Sequence, residues 1–317
     1  MAIGVVYVKA SYFEFEAEDG VVIYAKNWIS ETESPKAIVQ IAHGMAEHIT
    51  RYDDFAEFLV NQGFAVYGND HRGHGKMSEK QGNFGYFADE SGFEKVVGDL
   101  LSLTKVIEKD FPEVPVFLFG HSLGSFLTRR YMQLYGDHIQ GAILSGTGGH
   151  PGVLGKVAKA IAGAESRIRG RKTPSSLMTK LTFGAYNKNF NPVKTEFDWL
   201  SRDEKEVRKY SNDPLCGGEC STGLFIDLFE GLNLIHERRN LKGIPKELPL
   251  YIFSGDKDPV GNNTKGVRQV YEEFKTIGMM DVSLKFYKEG RHEMLNEVNK
   301  EEVYEDILSW LNKHLEE

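Results

Sequence analysis

The 317-residue chain predicts an α/β fold, a mostly parallel sheet covered by helices on both faces. Three observations carry this. Short, nearly continuous apolar runs recur along the chain, as in strands buried on both faces. Segments with apolar residues three and four apart alternate with them, as in helices that cover a sheet. Glycines then close those segments, as helix stops.

In order, the chain opens with two alternating segments, Ser11–Glu18 and Val21–Trp28, around Asp19-Gly20, a hairpin signal. The apolar runs are Ala37–Ala42, Phe64–Gly68, Val114–Phe119, Gly141–Leu144, Leu248–Phe253 and, later, Val282–Tyr287. One helix face carries Tyr52, Phe55 and Leu59 and stops at Gly63. A second carries Leu123, Phe126, Leu127, Tyr131 and Leu134 and stops at Gly136. A third carries Val267, Val270, Tyr271 and Phe274 and stops at Gly278, and a last helix covers Glu301–Leu315. The alternation breaks between residues 148 and 243, far longer than an ordinary connection. Helix-like pieces there, Val153–Ala164 and Cys220–Leu234, predict a helical insertion. The expected division is a core of residues 1–147 and 244–317 with a cap, or lid, of residues 148–243.

Composition narrows the function. A net charge of −8 argues against nucleic acid, which needs a basic face. Two cysteines, Cys216 and Cys220, cannot alone make a four-ligand zinc site, and in a chain this long they read as reduced structural thiols. The apolar run Ile3–Val8 has no basic segment before it and passes into strand-like alternation, so it reads as neither a secretory signal nor a membrane span. The expected location is the cytoplasm.

The strongest motif is Gly120-His121-Ser122-Leu123-Gly124, which follows one apolar run and opens a helix. In that setting the serine sits on a sharp strand-to-helix turn, its hydroxyl held over the sheet edge and the N-terminus of the new helix aimed at the site. A serine hydroxyl needs a base, and the base needs an orienting carboxylate. On this scaffold the order is serine, acid, histidine. The run Leu248–Phe253 leads into Asp256 and Asp258; Asp258 is the expected acid, because Pro259 and Val260 turn the chain after it. Of ten histidines, His292 follows the next strand and precedes the last helix, whereas His236 falls in the insertion and His314 in the helix. The expected oxyanion donors are the backbone N–H groups of Leu123 and of Met45, in the loop after Ala37–Ala42.

The segments His43-Gly44-Met45-Ala46-Glu47-His48, Asp70-His71-Arg72-Gly73-His74-Gly75, the serine motif, Gly255-Asp256-Lys257-Asp258 and Gly290-Arg291-His292-Glu293 together resemble the monoacylglycerol lipase and lysophospholipase branch of the α/β-hydrolases, whose family also includes serine aminopeptidase-like members. Asp198–Asp203 and Asp213-Pro214-Leu215-Cys216 are similar to cap segments of bacterial members. Ser125 departs mildly from the pattern, standing where many members have glycine. The resemblance implies an eight-stranded α/β-hydrolase fold with a helical cap, and a serine carboxyl-ester hydrolase that needs no cofactor and no metal. Peptidase, feruloyl-type esterase and acyltransferase activities occur on the same scaffold. His43, Gly44, Glu47, His121 and Arg72 are the expected supporting or substrate-binding residues, with Glu47, Asp70 and Arg72 forming a polar network behind the oxyanion loop.

Other clusters have plainer readings. His43, His48, His71, His74 and Asp70 are explained by the motifs without a metal. A stripe of Val153, Leu154, Val157 and Ile161, followed by Arg167, Arg169, Arg171 and Lys172, reads first as a cap helix packed on the domain with a solvated end. Its sharper reading is a lid that touches a lipid surface. An aminopeptidase would need an acidic anchor for the substrate amine; Asp203, Glu204 and Glu206 are candidates on the cap, although a solvated helix face explains them better.

Overall fold

The computed structural model describes residues 7–315; residues 3–6 of the Ile3–Val8 run lie outside the described residues. The strands are β1 (Val8–Glu16), β2 (Val22–Ser30), β3 (Ala37–Ala42), β4 (Phe64–Asn69), β5 (Val116–His121), β6 (Gly141–Ser145), β7 (Leu250–Gly255) and β8 (Val282–Tyr287). They form one eight-stranded sheet in the order β1-β2-β4-β3-β5-β6-β7-β8. Strands β3 to β8 are mutually parallel; β2 runs antiparallel to both β1 and β4. The opening hairpin turns at Gly20, whose φ of 80° suits glycine.

Two strands start later than their apolar runs, each for the same reason. Pro115 precedes β5 and Pro249 precedes β7; a proline has no N–H for the ladder. Each still accepts a bond through its carbonyl, from Ile38 N at 2.9 Å and Ala142 N at 3.0 Å. Strand β5 runs to His121, immediately before Ser122, where it pairs with Ser145 of β6.

The helices are α1 (Asp53–Asn61), α2 (Gly75–Gln81), α3 (Gly92–Asp110), α4 (Leu123–Tyr135), α5 (Gly152–Arg169), α6 (Ser176–Phe183), α7 (Glu204–Asn212), α8 (Thr222–His236), α9 (Arg238–Leu241), α10 (Lys265–Thr276) and α11 (Lys300–Lys313). Side chains alternate across the pleat, so the sheet has two cores. On one face Ala37, Val39, Ile41, Phe117, Phe119 and Phe253 pack against α1 and α11. On the other, Ile38, Leu118, Leu144 and Ile252 pack against α3, α4, α8 and α10. Helices α5 to α9 all lie in the chain between β6 and β7. The stripe expected to pack inward does so only at Ile161, which packs against the core; Val153 is 75% and Leu154 81% exposed, and Val157 is 50% exposed. Among the described residues no helix is long and apolar enough to cross a membrane.

Candidate active site

The loops at the C-terminal ends of β3, β5, β7 and β8 meet at one edge of the sheet, where strand order reverses between β3 and β5. Ligands of open α/β sheets bind at that kind of crevice. Ser122 follows β5 directly, with φ 52° and ψ −117°, a left-handed backbone that costs a non-glycine residue roughly 1–3 kcal/mol. The turn closes only because the residues two before and two after Ser122 lack side chains. A Cβ on Gly124 would lie 1.9 Å from the Ala42 carbonyl oxygen, and one on Gly120 would lie 2.4 Å from that of Gly124. Ser125, in place of a second glycine, donates its hydroxyl to the Ser122 carbonyl at 2.6 Å.

Asp258 and Asp256 are separated by their contacts. Asp258 is fully buried, and both its carboxylate oxygens lie 3.0 Å from His292 Nδ1. It is fixed by Ser254 Oγ at 3.0 Å and Val260 N at 2.9 Å. Asp256 instead accepts from Glu289 N at 2.8 Å and braces the loop after β8. With Nδ1–H donated to Asp258, His292 keeps Nε2 as an acceptor, and the residue lines the same cavity as Ser122. Burial lowers the basicity of His292, but the Asp258 charge outweighs it and holds the imidazole above its ordinary pKa. The ring also meets Trp199 at 5.1 Å and His121 at 4.7 Å between centroids. Gly146 leaves space beside it; a Cβ there would come within 2.9 Å of the imidazole.

Gly44, Met45, Glu47, His121 and Leu123 line the cavity. Among the described residues neither the Met45 nor the Leu123 N–H meets a backbone carbonyl. Glu47 fixes the loop through Gly44 N at 2.5 Å, Tyr52 Oη at 2.9 Å and Arg51 Nη1 at 2.6 Å. His121 Nδ1 lies 3.2 Å from Ser145 Oγ; burial and the neighbouring His292 push its pKa down to about 4, so it is neutral. His43 stands behind the loop rather than in the cavity. Its Nε2 accepts from His71 N at 3.0 Å, so Nδ1 carries the proton donated to Gly44 O at 2.7 Å. Burial holds His43 well below its ordinary pKa and takes His71 to about 3 and His74 to about 4.

The expected network of Glu47, Asp70 and Arg72 is not one network. Arg72 is away from the cavity, pairing with Asp99 on α3 at 2.8 Å and with Asp19 in the hairpin turn at 2.7–2.8 Å. Two carboxylates draw its guanidinium toward β1 and α3, so it touches neither Glu47 nor a substrate. Asp70 caps the helical turn Ile49–Tyr52 before α1 through Ile49 N and the start of α2 through Lys76 N. The partner of Glu47 is Arg51, which also grips Glu293 through two bonds of 2.6 and 2.7 Å. Arg51 therefore ties the loop after β3 to the loop after β8. Its one sequence signal is position: four residues after Glu47, an i,i+4 pair. Trp199 is likewise a new site residue, whose carbonyl accepts from His292 N at 3.4 Å.

The cavity measures about 810 Å³, within the roughly 300–1,000 Å³ of small-molecule sites. Its walls include Phe126, Phe183, Leu228, Phe229 and Leu232, with His150, Asn262 and Gln269 among its polar groups. Asp203, Glu204 and Glu206 do not line it: Asp203 caps α7 through Lys205 N, and Glu204 pairs with Lys194 on the surface.

This fold and this edge define the α/β-hydrolase class. Within it, residues 33–299 match the family Hydrolase_4, described as serine aminopeptidase, S33, and the chain belongs to that family. It is 30% identical over 311 residues to a monoacylglycerol lipase of Mycolicibacterium smegmatis, covering 96% of this chain and 98% of that one. It is 27% identical to the monoglyceride lipase of Rattus norvegicus, covering 94% and 89%. A carboxyl esterase of Bacillus coagulans, solved with glycerol, superposes with a TM-score of 0.88 at 28% identity, covering 98% of this chain and all of that one. These likenesses place the protein among the serine ester hydrolases.

Proposed function

We propose that the protein hydrolyses monoacylglycerol-type esters through an acyl-enzyme, with Ser122, His292 and Asp258 as its catalytic triad. The observation that carries this is that His292, held by Asp258, lines the same apolar-walled cavity as Ser122. His292 Nε2 takes the Ser122 proton as Oγ attacks the ester carbonyl carbon. Asp258 holds the tautomer and stabilises the imidazolium. The N–H groups of Leu123 and Met45 hold the oxyanion, usually the largest single contribution in acyl transfer. The alcohol leaves with the proton from His292. Water then attacks the acyl-enzyme, passing its proton to the same nitrogen, and the acid departs as His292 returns that proton to Ser122 Oγ.

Residues 148–243 act as the cap, with residues 1–147 and 244–317 as the core. The aromatic and leucine walls suit one acyl chain, and His150, Asn262 and Gln269 suit the free hydroxyls of a glycerol. The exposed Val153, Leu154, Val157, Ile168, Leu177 and Leu181, with Lys156, Arg167 and Arg169 on the same segment, suit weak docking on an anionic lipid surface. Two unpaired cysteines suit a reducing cytoplasm. The test is a panel of monoacylglycerols, lysophospholipids, short aryl esters, feruloyl esters and amino-acid amides. Highest kcat/KM on monoacylglycerols, abolished in Ser122→Ala, is expected. Preference for amides, or turnover surviving in Ser122→Ala, overturns the reading.

A further inference from the structure

Three donors of different chemistry converge where the loop after β3 meets the cap. His48 Nε2 lies 2.9 Å from Asp213 Oδ2, and these atoms and the Cys216 sulfur all lie within 4.8 Å of one another. His48 and Asp213 are 165 residues apart in the chain, so the fold, not a local motif, assembles them. The ester-hydrolysis mechanism uses none of the three.

We propose that His48, Asp213 and Cys216 bind a borderline-soft divalent cation of the zinc and cadmium type, completed by water. An imidazole, a carboxylate and a thiolate suit these ions, whereas magnesium and calcium take oxygen ligands. Zinc lies about 2.0–2.3 Å from nitrogen, oxygen and sulfur ligands, so donors already this close need only small side-chain shifts. The Asp213 side chain is 30% exposed, which opens the site to solvent and leaves a position for water.

The charges close. The ion takes the lone pair of His48 Nε2, the imidazole proton moves to Nδ1, and the Cys216 thiol proton leaves to solvent. A divalent cation, a carboxylate and a thiolate then sum to zero. The neighbouring cation, Arg51, is already paired with Glu47 and Glu293.

The ion would clamp two segments that already touch. The Ala46 carbonyl accepts from Gly217 N at 2.9 Å and from Tyr210 Oη at 2.9 Å. Ala46 follows Met45 of the oxyanion loop, and Gly217 follows Cys216. Occupancy therefore locks the cap segment 210–217 against the loop beside the nucleophile, without contacting Ser122. This holds whatever ester the cavity takes.

Titrating tag-free protein with Cd²⁺ tests the site by thiolate-to-metal charge-transfer absorption, calorimetry and thermal melting. One ion per chain is expected, with the near-ultraviolet band and a rise of a few degrees in melting temperature, because a ligand that binds only the folded state stabilises it. Cys216→Ala should abolish the band. Asp213→Asn should weaken binding by more than about tenfold, the loss that removing even an outer partner of a metal ligand can cause. Cys220→Ala should change neither. Metal-free melting curves of the variants show that they fold. No saturable binding near one equivalent, a band that survives Cys216→Ala, or a band lost in Cys220→Ala overturns the proposal.

Discussion

His292 works against two opposed influences, burial and a buried carboxylate, and the carboxylate wins. In its proposed role as general base His292 must be neutral to act, and the raised pKa means protonation begins at higher pH than for a free imidazole. The acid limb of kcat/KM against pH is therefore expected above the ordinary imidazole value of 6.5, with activity lost as pH falls through it. Asp258→Asn removes the charge and the tautomer control together; kcat should fall on the order of 10⁴-fold, as the same change does in the serine-protease triad, and the limb should move to lower pH. Arg51→Ala leaves Glu47 and Glu293 buried and unpaired, which should cost about 3–5 kcal/mol in urea unfolding. Burial alone would raise the Glu293 pKa, but Arg51 takes it to about 2. The stability from that pair is thus present above the ordinary glutamate range and lost only as pH falls from 4.5 toward 2. The placement of Ser122, Asp258 and His292, the proposed triad, was legible because each follows a strand in order. Arg51–Glu293 was not, because the two are 242 residues apart and nothing local marks the pair.

At the scale of elements, the turn from β5 into α4 is the tightest construction in the site. Gly124→Ala would drive a methyl into the Ala42 carbonyl. Strand β3 and α4 would have to part, at a cost of at least roughly 1–3 kcal/mol, and turnover should fall with it; a melting curve and an esterase assay on one preparation check both. The strands were legible within three residues, β1 starting at Val8 rather than Ser11, and prolines explain the late starts of β5 and β7. Helix α3 was not among the expected elements, although Phe93, Val96, Val97, Leu100, Leu103 and Ile107 are buried at helical spacing, a readable signal. The stripe on α5 shows the opposite limit. Periodicity marks one face of a helix but not what that face meets, and Val153 and Leu154 meet solvent.

Across the whole molecule, one eight-stranded sheet carries the loops of the candidate site, and the single long excursion between β6 and β7 supplies part of its cavity wall. If the exposed cap stripe docks on lipid, Leu154→Asp should weaken sedimentation with anionic vesicles several-fold and leave kcat on a short soluble ester unchanged; equal sedimentation of both proteins refutes the docking. The backbone of Ser122 has a further consequence for the molecule as a whole. The conformation that presents the hydroxyl is one that glycine adopts freely, so folding competence and activity pull this position in opposite directions. Ser122→Gly should abolish turnover yet melt a few degrees higher than the active protein, provided the relieved roughly 1–3 kcal/mol outweighs glycine's extra freedom in the unfolded chain. The active protein is then less durable than its own dead variant, and heat tolerance selected without an activity screen would find glycine at position 122.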